Sequence, residues 1–276
     1  MYFPNLIIGG PPKTGTTSLY QWLKSHPDCY ASPIKETFFF DDYINAYNKN
    51  LNFKNHGLSS YAKYFDGNNG EKILFEASTS YINSSTALEQ IPLLHSNPKV
   101  LFVFRNPIDR IVSEYLFLKE KKQSVTVSFE DYLGWNGTDF TSLQFRRGKV
   151  VSQMNKWIKR MGEDNVIIIR FEDLKRPHIL MNKLSELLRI DADFYSTYDF
   201  KKLNETFKVK NRTLHEVARR LGNRLPEPIK STILKTYMKM NVSKVDKSII
   251  STTMLEQLKM AYHNESEEFL LKKPLS

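Results

Sequence analysis

The sequence predicts an α/β fold, in which a single domain has a central parallel β-sheet flanked by helices and a helical C-terminal cap. Two observations support this prediction. Short apolar runs bounded by turn-forming residues are typical of strands that are buried in a parallel sheet. Helical patterns alternate with these runs, as they do in βαβ units. The predicted strands are Leu6–Gly9, Ile73–Glu76, Val100–Phe104 and Val166–Arg170.

The predicted helices separate the strands and continue beyond the last of them. They are Thr16–Ser25, Thr86–Ser96, Ile108–Lys122, Gln153–Met161 and His178–Leu188, followed by Leu214–Leu225, Ile229–Met240 and Thr253–Leu271. No strand is predicted after about residue 190, where the chain becomes basic. We therefore expect one domain over residues 1–276, with an α/β core at 1–190 and a basic helical part at 191–276 packed on it. The irregular stretch Asp41–Gly70 is predicted to be a surface excursion.

Composition and charge restrict the classes of function. The chain is 41% hydrophobic and 13% aromatic, which is enough for a packed core. It has no run of about 18 apolar residues, and its first residues lack the pattern of a signal peptide, so we expect a cytoplasmic protein without a membrane span. The single cysteine, Cys29, excludes an intramolecular disulfide and a cysteine-based metal site. The net charge of +10 favours anionic partners, such as nucleic acid, phosphates or sulfates.

A glycine-rich loop follows the first predicted strand. Gly10 and Gly15 have the spacing of a phosphate-binding loop, and a predicted helix begins directly after them. In such a loop, successive backbone N–H groups and the helix N-terminus point at one anion. Mononucleotide-binding loops have a lysine after the second glycine, whereas here Thr16 and Thr17 follow it and Lys13 precedes it. The loop therefore predicts an anion site that differs from that of nucleoside triphosphatases.

A second anion-binding feature follows the strand Val100–Phe104. Arg105 stands directly after this strand, and Asn106 and Pro107 are suited to begin the next helix. P-loop nucleoside triphosphatases tend to have an aspartate here that helps to hold magnesium. An arginine instead offers a fork of N–H donors to phosphate oxygens. Because ligands of parallel sheets lie beyond the carboxyl ends of the strands, we expect Arg105 and Lys13 to grip one ligand.

These segments resemble the sulfotransferases that use 3′-phosphoadenylyl sulfate (PAPS), especially the carbohydrate and heparan-sulfate type. Residues 12–27 (PKTGTTSLYQWLKSHP) are similar to the 5′-phosphosulfate loop of that family, and residues 103–115 (VFRNPIDRIVSEY) to its 3′-phosphate segment; residues 146–174 also match. The resemblance implies a P-loop-nucleotide-hydrolase-like fold. It also implies transfer of a sulfonate group from PAPS, without a metal, to a hydroxyl of a carbohydrate, lipid or small-metabolite acceptor. The product would be 3′,5′-diphosphoadenosine (PAP).

The resemblance also implies roles for single residues. Lys13 would hold the 5′-phosphate and the transferring sulfonate, and it would stabilise the leaving phosphate. Arg105 and Ser113 would bind the 3′-phosphate, which ATP lacks. The remaining donor-binding candidates are Thr14, Gly15, Thr16, Thr17 and Ser18 in the loop and, on a looser match, Lys210 and Arg212 in the tail.

Glu36 is the candidate catalytic base. In carbohydrate-type members, a glutamate before an aromatic pair follows the first helix by a short loop, and Glu36 stands in that place. A carboxylate there can take the proton of the acceptor hydroxyl. At least two of the three phenylalanines in Phe38–Phe40 are expected in the core. The cytosolic small-molecule sulfotransferases use a histidine instead, and the sequence leaves that alternative open with His26, His56 and His95.

One departure from the family pattern concerns the acceptor. Heparan-type enzymes have Glu-Lys-Thr-Pro after the strand Ile73–Glu76, whereas this chain continues from Glu76 with Ala77, Ser78 and Thr79. The replacement of the lysine by Ala77 argues against a heavily anionic acceptor and removes one cation that would support Glu36.

Two other functions compete with sulfonate transfer. The first is a nucleotide kinase or nucleoside triphosphatase with a variant phosphate loop, which the positions of Lys13 and Arg105 disfavour. The second is a basic module that binds nucleic acid. Such a module predicts a continuous basic stripe with stacking aromatic residues, whereas the basic residues of this chain are dispersed.

Overall fold

A parallel sheet of five strands forms the centre of the computed structural model, which describes residues 1–122, 125–200, 207–209, 242–244, 250–270 and 275. The strands are β1 (Leu6–Gly10), β2 (Cys29–Ala31), β3 (Ile73–Ala77), β4 (Lys99–Phe104) and β5 (Val166–Arg170). Their order across the sheet is β2-β3-β1-β4-β5, and all neighbours are parallel. The predicted α/β fold with a central parallel sheet is therefore confirmed. The sequence does not predict β2, because three residues are too few for a strand pattern.

Helices cover this sheet. Those over Thr16–Lys24, Val150–Met161 and Pro177–Leu188 begin and end close to their predicted bounds, whereas the short ones over Phe53–His56, Phe129–Leu133 and Leu143–Arg146 are not predicted by the sequence. The described α-helices are α1 (Thr16–Lys24), α2 (Phe53–His56), α3 (Ser85–Gln90), α4 (Pro107–Leu116), α5 (Phe129–Leu133), α6 (Leu143–Arg146), α7 (Val150–Met161), α8 (Pro177–Leu188), α9 (Thr252–Ala261) and α10 (His263–Leu270). Among the described residues, no helix is both long enough and apolar enough to cross a membrane.

Three predicted helices differ from the structure in where they end, in their type of helix or in being divided in two. The helix predicted to reach Ser96 ends at Gln90, since Pro92 lies in a short 3-10 turn, Ile91–Leu93, that follows it. The helix after Arg105 continues past Leu116 as a π-helical segment, Phe117–Lys122. The last predicted helix is divided between α9 and α10 at Tyr262, whose hydroxyl donates to the carbonyl of Phe145 over 2.8 Å.

The expectation that no strand follows residue 190 is wrong. β6 (Phe207–Val209) and β7 (Val242–Lys244) form an antiparallel pair. Three-residue strands that pair across a long stretch of chain leave no periodic signal in the sequence. The predicted helices Leu214–Leu225 and Ile229–Met240, together with Lys210 and Arg212, lie outside the described residues.

Alternate residues of each central strand pack into two apolar clusters, one on each face of the sheet. Leu6 and Ile8 of β1 face a cluster that contains side chains of α1 and α8. Ile7 faces the other cluster, which contains side chains of α7 and more buried aromatic residues than the first cluster. This alternation is the period of two that a strand imposes on its side chains.

The aromatic cluster corrects one prediction and confirms another. The stretch Asp41–Gly70 is not simply a surface excursion, since Tyr61 and Phe65 are fully buried. The ring of Tyr61 stacks on Phe39 with 4.8 Å between centroids and meets Phe40 edge-on. Phe39 and Phe40 are fully buried, so the expectation of at least two core phenylalanines is confirmed. The pattern misleads because asparagine and glycine surround the few large side chains that enter the core.

The C-terminal helices contact the α/β part at the end of the sheet. The ring of Phe269 in α10 stacks on Phe104, the last residue of β4. The Oε2 atom of Glu265 accepts a hydrogen bond from the backbone N–H of Val151 over 2.8 Å. The division into a core at 1–190 and a cap at 191–276 stays a prediction.

Candidate active site

The loop between β1 and α1 forms the first part of the candidate site. Gly10 has a φ of +111°, and a Cβ atom there would lie 2.1 Å from the carbonyl oxygen of Thr79. Only glycine therefore allows the end of β1 to approach the segment after β3 so closely. Gly15, with a φ of +84°, precedes α1, and no described side chain caps the N-terminus of this helix. The loop thus brings a helix N-terminus to the carboxyl edge of the sheet, a placement that suits an anion.

The hydroxyl groups of the loop differ in their surroundings. Thr14 is fully buried, and its Oγ1 atom donates to the carbonyl of Pro11 over 2.7 Å, so this hydroxyl shapes the loop. Thr16 is also buried, whereas Thr17 and Ser18 are half-buried in the first turn of α1. All of these donor-binding candidates therefore lie in one turn of chain, where their roles stay predictions.

Arg105 and Lys13 meet, as the sequence predicts. The Nη1 atom of Arg105 donates to the backbone carbonyl of Lys13 over 2.9 Å. The guanidinium lies 4.4 Å from the ring centroid of Phe171, and the Nζ atom of Lys13 lies 4.0 Å from that of Phe117. Burial lowers the pKa of Arg105, whereas the nearby Asp109 acts to raise it. Aromatic rings shield both cations partly from water, and a bound anion would stabilise their positive charges.

Helix α4 continues the arginine side of the site. Its N-terminus is capped by the Oδ1 atom of Asn106, which accepts from the N–H groups of Ile108 and Asp109 over 3.0 and 3.2 Å. Ser113 is half-buried on this helix, two turns beyond Arg105. β6 lies beside the π-helical segment Phe117–Lys122, which follows α4. β6 therefore lies close to the lysine side of the site, whereas Lys210 and Arg212 are outside the described residues.

Glu36 lies on the other side of the phosphate loop. Its Oε2 atom accepts two hydrogen bonds from Thr79, one from the backbone N–H over 2.8 Å and one from the hydroxyl over 2.6 Å. Its Oε1 atom pairs with the Nζ atom of Lys35 over 3.3 Å. The Glu36 side chain is 19% exposed, so this carboxylate is held in place and remains accessible from solvent.

A buried carboxylate, Glu76, lies next to this group, and the sequence leaves open whether it acts on the acceptor, supports other site residues or only stabilises the strand end. Glu76, the fourth residue of β3, is fully buried. It accepts hydrogen bonds from Tyr61 at Oε1 over 2.7 Å and, at Oε2, from Thr37 over 2.8 Å and Ser78 over 2.7 Å. Burial raises the pKa of Glu76, and the hydrogen bonds from Tyr61, Ser78 and Thr37 act against that rise. Its partners come from three separate stretches of the chain, and no local sequence pattern indicates such a network.

Two of the three candidate histidines, His26 and His95, lie away from the carboxyl edge of the sheet, where Lys13 stands. His26 is buried beyond the C-terminal end of α1, where its Nε2 atom bonds to the carbonyl of Asp191 over 2.8 Å. His56 ends α2 and bonds through Nδ1 to the carbonyl of Asn52 over 3.1 Å. His95 is exposed before the start of β4, at the opposite edge of the sheet. This placement argues against His26 and His95 as the base, and the role of Glu36 stays a prediction.

The family follows from comparison with known proteins. The family model for the sulfotransferase domain matches residues 3–220, so the chain belongs to the sulfotransferase domain family. The predicted family and its P-loop-like fold are thereby confirmed. A solved sulfotransferase from Alicyclobacillus acidocaldarius is 26% identical with a TM-score of 0.62, over 79% of this chain and 91% of that one.

Two curated relatives show how much of a longer protein the match covers. The human bifunctional heparan sulfate N-deacetylase/N-sulfotransferase 1 is 28% identical over 212 residues, which are 72% of this chain and 24% of the relative. The membrane-associated sulfotransferase kil1 of Dictyostelium discoideum is 30% identical over 135 residues, 46% of this chain and 26% of the relative. The match thus spans about a quarter of the length of these relatives.

Proposed function

We propose that this protein transfers a sulfonate group from PAPS to a hydroxyl group of an acceptor, with a carbohydrate favoured over a lipid or another small metabolite. The observation that carries the proposal is the meeting of Lys13 and Arg105 at the ends of neighbouring strands, with 2.9 Å between the arginine Nη1 atom and the lysine carbonyl. A donor with phosphates at two ribose positions needs two such cationic binding groups, whereas ATP has phosphates at only one ribose position.

The residues present fit a PAPS donor. The turn Lys13–Ser18 and the N-terminus of α1 would hold the 5′-phosphate and the sulfonate, since backbone N–H groups and hydroxyls gather there. Arg105 and Ser113 would hold the 3′-phosphate from the β4–α4 side. When bound, PAPS supplies a sulfonate group that is already activated by its link to phosphate.

In this proposal, Glu36 and Lys13 share the chemistry. Glu36 accepts the proton that the acceptor hydroxyl gives up while the hydroxyl oxygen forms its bond to sulfur. Lys13 offsets the negative charge that collects on the 5′-phosphate as the bond between sulfur and the bridging oxygen breaks. The proton thus ends on Glu36, the sulfonate on the acceptor oxygen and the electron pair on PAP.

The segment that follows Glu36 in the chain favours a sugar as the acceptor. Tyr43 and Tyr47 are 77% and 72% exposed, and the ring of Tyr47 packs against Phe38 with 5.6 Å between centroids. The buried Asn48 fixes this segment, since its Nδ2 atom donates to the carbonyls of Phe38 and Tyr43. Exposed aromatic faces next to polar groups mark binding surfaces and suit the flat apolar face of a sugar ring. The human relative, whose name includes heparan sulfate, supports the same class of acceptor, a carbohydrate.

The proposal is tested by comparing how PAP, ADP and Mg²⁺–ATP bind, measured by calorimetry on the wild-type protein and on Arg105→Ala. The wild type should prefer PAP. Arg105→Ala should weaken PAP binding by roughly 10- to 100-fold, because it removes a charged partner of the 3′-phosphate, and should change ADP binding little. Arg176→Ala serves as the matched control, since the Arg176 side chain is 66% exposed and pairs with Asp173.

Two outcomes would overturn the proposal. An equal loss of PAP and ADP binding in Arg105→Ala would remove the role in recognising the 3′-phosphate. A wild-type preference for Mg²⁺–ATP would restore the nucleotide kinase alternative. Transfer itself is measured with radiolabelled PAPS on a panel of chito-oligosaccharides, N-desulfated heparan sulfate and simple alcohols.

A further inference from the structure

We infer that Thr79 is a positioning residue that holds the base Glu36 by two hydrogen bonds and joins it to the donor loop. The inference rests on the proposed function, since it assigns to Glu36 the task of proton acceptor. The role assigned to Thr79 acts through Glu36, since both of its hydrogen bonds to that side chain end on one carboxylate oxygen.

The geometry at Glu36 is that of an anchored carboxylate. Both hydrogen bonds from Thr79 reach the same oxygen, Oε2, over 2.8 Å from N–H and 2.6 Å from the hydroxyl. The other oxygen, Oε1, has the longer 3.3 Å contact with Lys35. A general base works when its lone pair is held within hydrogen-bond reach of the proton it takes. Anchoring Oε2 fixes the side-chain rotamer and turns Oε1 towards that task.

Thr79 is itself fixed by the sheet. It is 8% exposed and stands two residues beyond β3. The residue before it, Ser78, donates its backbone N–H to the carbonyl of Ile8 in β1 over 3.1 Å. Its own carbonyl oxygen occupies the space that a Cβ atom on Gly10 would fill, at 2.1 Å. The residue that holds the base therefore packs directly against Gly10, the last residue of β1 before the phosphate loop.

The two hydrogen bonds to Glu36 depend on the type of residue at position 79. Thr79 offers both a backbone N–H and a hydroxyl, and both donate to the Oε2 atom of Glu36. A valine there would keep the N–H alone, and a proline would have neither donor.

Transfer kinetics of single and double variants test the inference. Thr79→Val removes the hydroxyl and keeps the size of the side chain. We expect kcat to fall about 10-fold, the acceptor KM and the PAP dissociation constant to change less than about threefold, and Thr79→Ser to restore kcat. In a Glu36→Gln background, Thr79→Val should cause no further loss, because the residue acts through that carboxylate. Thr141→Val, whose hydroxyl donates to Gly134 on the exposed surface, is the control.

The slow transfer of sulfonate from PAPS to water is measured alongside, since it needs no identified acceptor. A Thr79→Val variant with the kcat of wild type overturns the positioning role. The role is also overturned if Thr79→Val lowers kcat as much in the Glu36→Gln background as it does in the wild type. A parallel loss of PAP binding would assign Thr79 to the donor loop instead. A wild-type protein that neither binds PAP nor transfers sulfonate would overturn the proposed function itself, and the role of Thr79 with it.

Discussion

Acidic side chains crowd the side of the candidate site that contains Glu36, and each is stabilised in a different way. Glu36 is anchored by Thr79, Glu76 by three hydroxyl groups, and Asp42 by the N-terminus of α3. Asp41 has a single hydroxyl partner, Ser80. Burial raises the pKa of Asp41 from 3.8 to about 6, with the negative charges of Glu76 and Glu36 adding to the effect. Charge at this residue is therefore costly to the folded state.

The raised pKa of Asp41 predicts a dependence of stability on pH. Because the folded state holds this proton more tightly than the unfolded state does, the free energy of unfolding should fall as pH rises from about 4 to about 6. Asp41→Asn, which keeps the hydrogen bond from Ser80, should remove that fall. Relative to wild type, the variant should gain up to about 3 kcal/mol between pH 4 and pH 7.5, measured by urea unfolding.

Asp42→Asn is the matched control for this prediction. Burial acts to raise the pKa of Asp42, but hydrogen bonds from the backbone of Thr86 and Ser85 outweigh it, and the net pKa is lowered. Its loss should therefore cost more stability at pH 7.5 than at pH 4, the opposite sign from Asp41→Asn. If both variants shifted in the same direction, the assignment of the pH effect to Asp41 would be wrong.

Single residues also show how far sequence alone reaches into the site. Lys13 and Arg105 could be predicted as partners, because both follow strands and the carboxyl ends of parallel strands share one edge. Glu36 could be placed only by resemblance. Its contact with Thr79 and the network around Glu76 could not be predicted, since hydrogen bonds between side chains distant in sequence depend on register and on loop path.

At the scale of elements, the site depends on the junction where β1 ends against the segment that follows β3. The sequence predicts both strands, yet not that their ends touch. Strand patterns report which side chains are buried and leave open how closely two backbones approach. The structure shows close contact at Gly10, which has a φ that other residues rarely adopt and leaves no room for a Cβ atom against Thr79.

Gly10→Ala tests this junction. The added methyl group would lie 2.1 Å from the Thr79 carbonyl, so the strand end and Thr79 must move apart. We expect a loss of unfolding free energy of at least about 2 kcal/mol together with slower sulfonate transfer. Gly70→Ala is the matched control, since Gly70 also has a positive φ, +93°, but nothing lies within 4 Å of the place that its added methyl group would take. Equal effects of the two variants would show that backbone conformation alone matters.

At the scale of the whole molecule, the C-terminal helices pack against the end of β4, directly before Arg105. The ring of Phe269 stacks on Phe104, which directly precedes Arg105, and the guanidinium of Arg170 lies 5.7 Å from the same ring. The backbone N–H of Leu275 adds a hydrogen bond of 2.9 Å to Ile168 in β5. The sequence predicts that these helices pack on the core. The sequence could not predict which strands these helices contact, because apolar periodicity shows which face of a helix is buried and not which element covers that face.

Removing the ring of Phe269 should therefore affect both stability and donor binding. Phe269 is 4% exposed, so Phe269→Ala should lower the free energy of unfolding by about 3 kcal/mol, measured by urea unfolding. PAP binding measured by calorimetry should weaken as well, because Phe104 loses the support that fixes the end of β4 beside Arg105. Met260→Ala, at a residue of α9 that is 64% exposed, should change neither quantity measurably. A destabilised Phe269→Ala variant that still bound PAP as wild type does would separate the C-terminal helices from the donor site and limit them to a structural role.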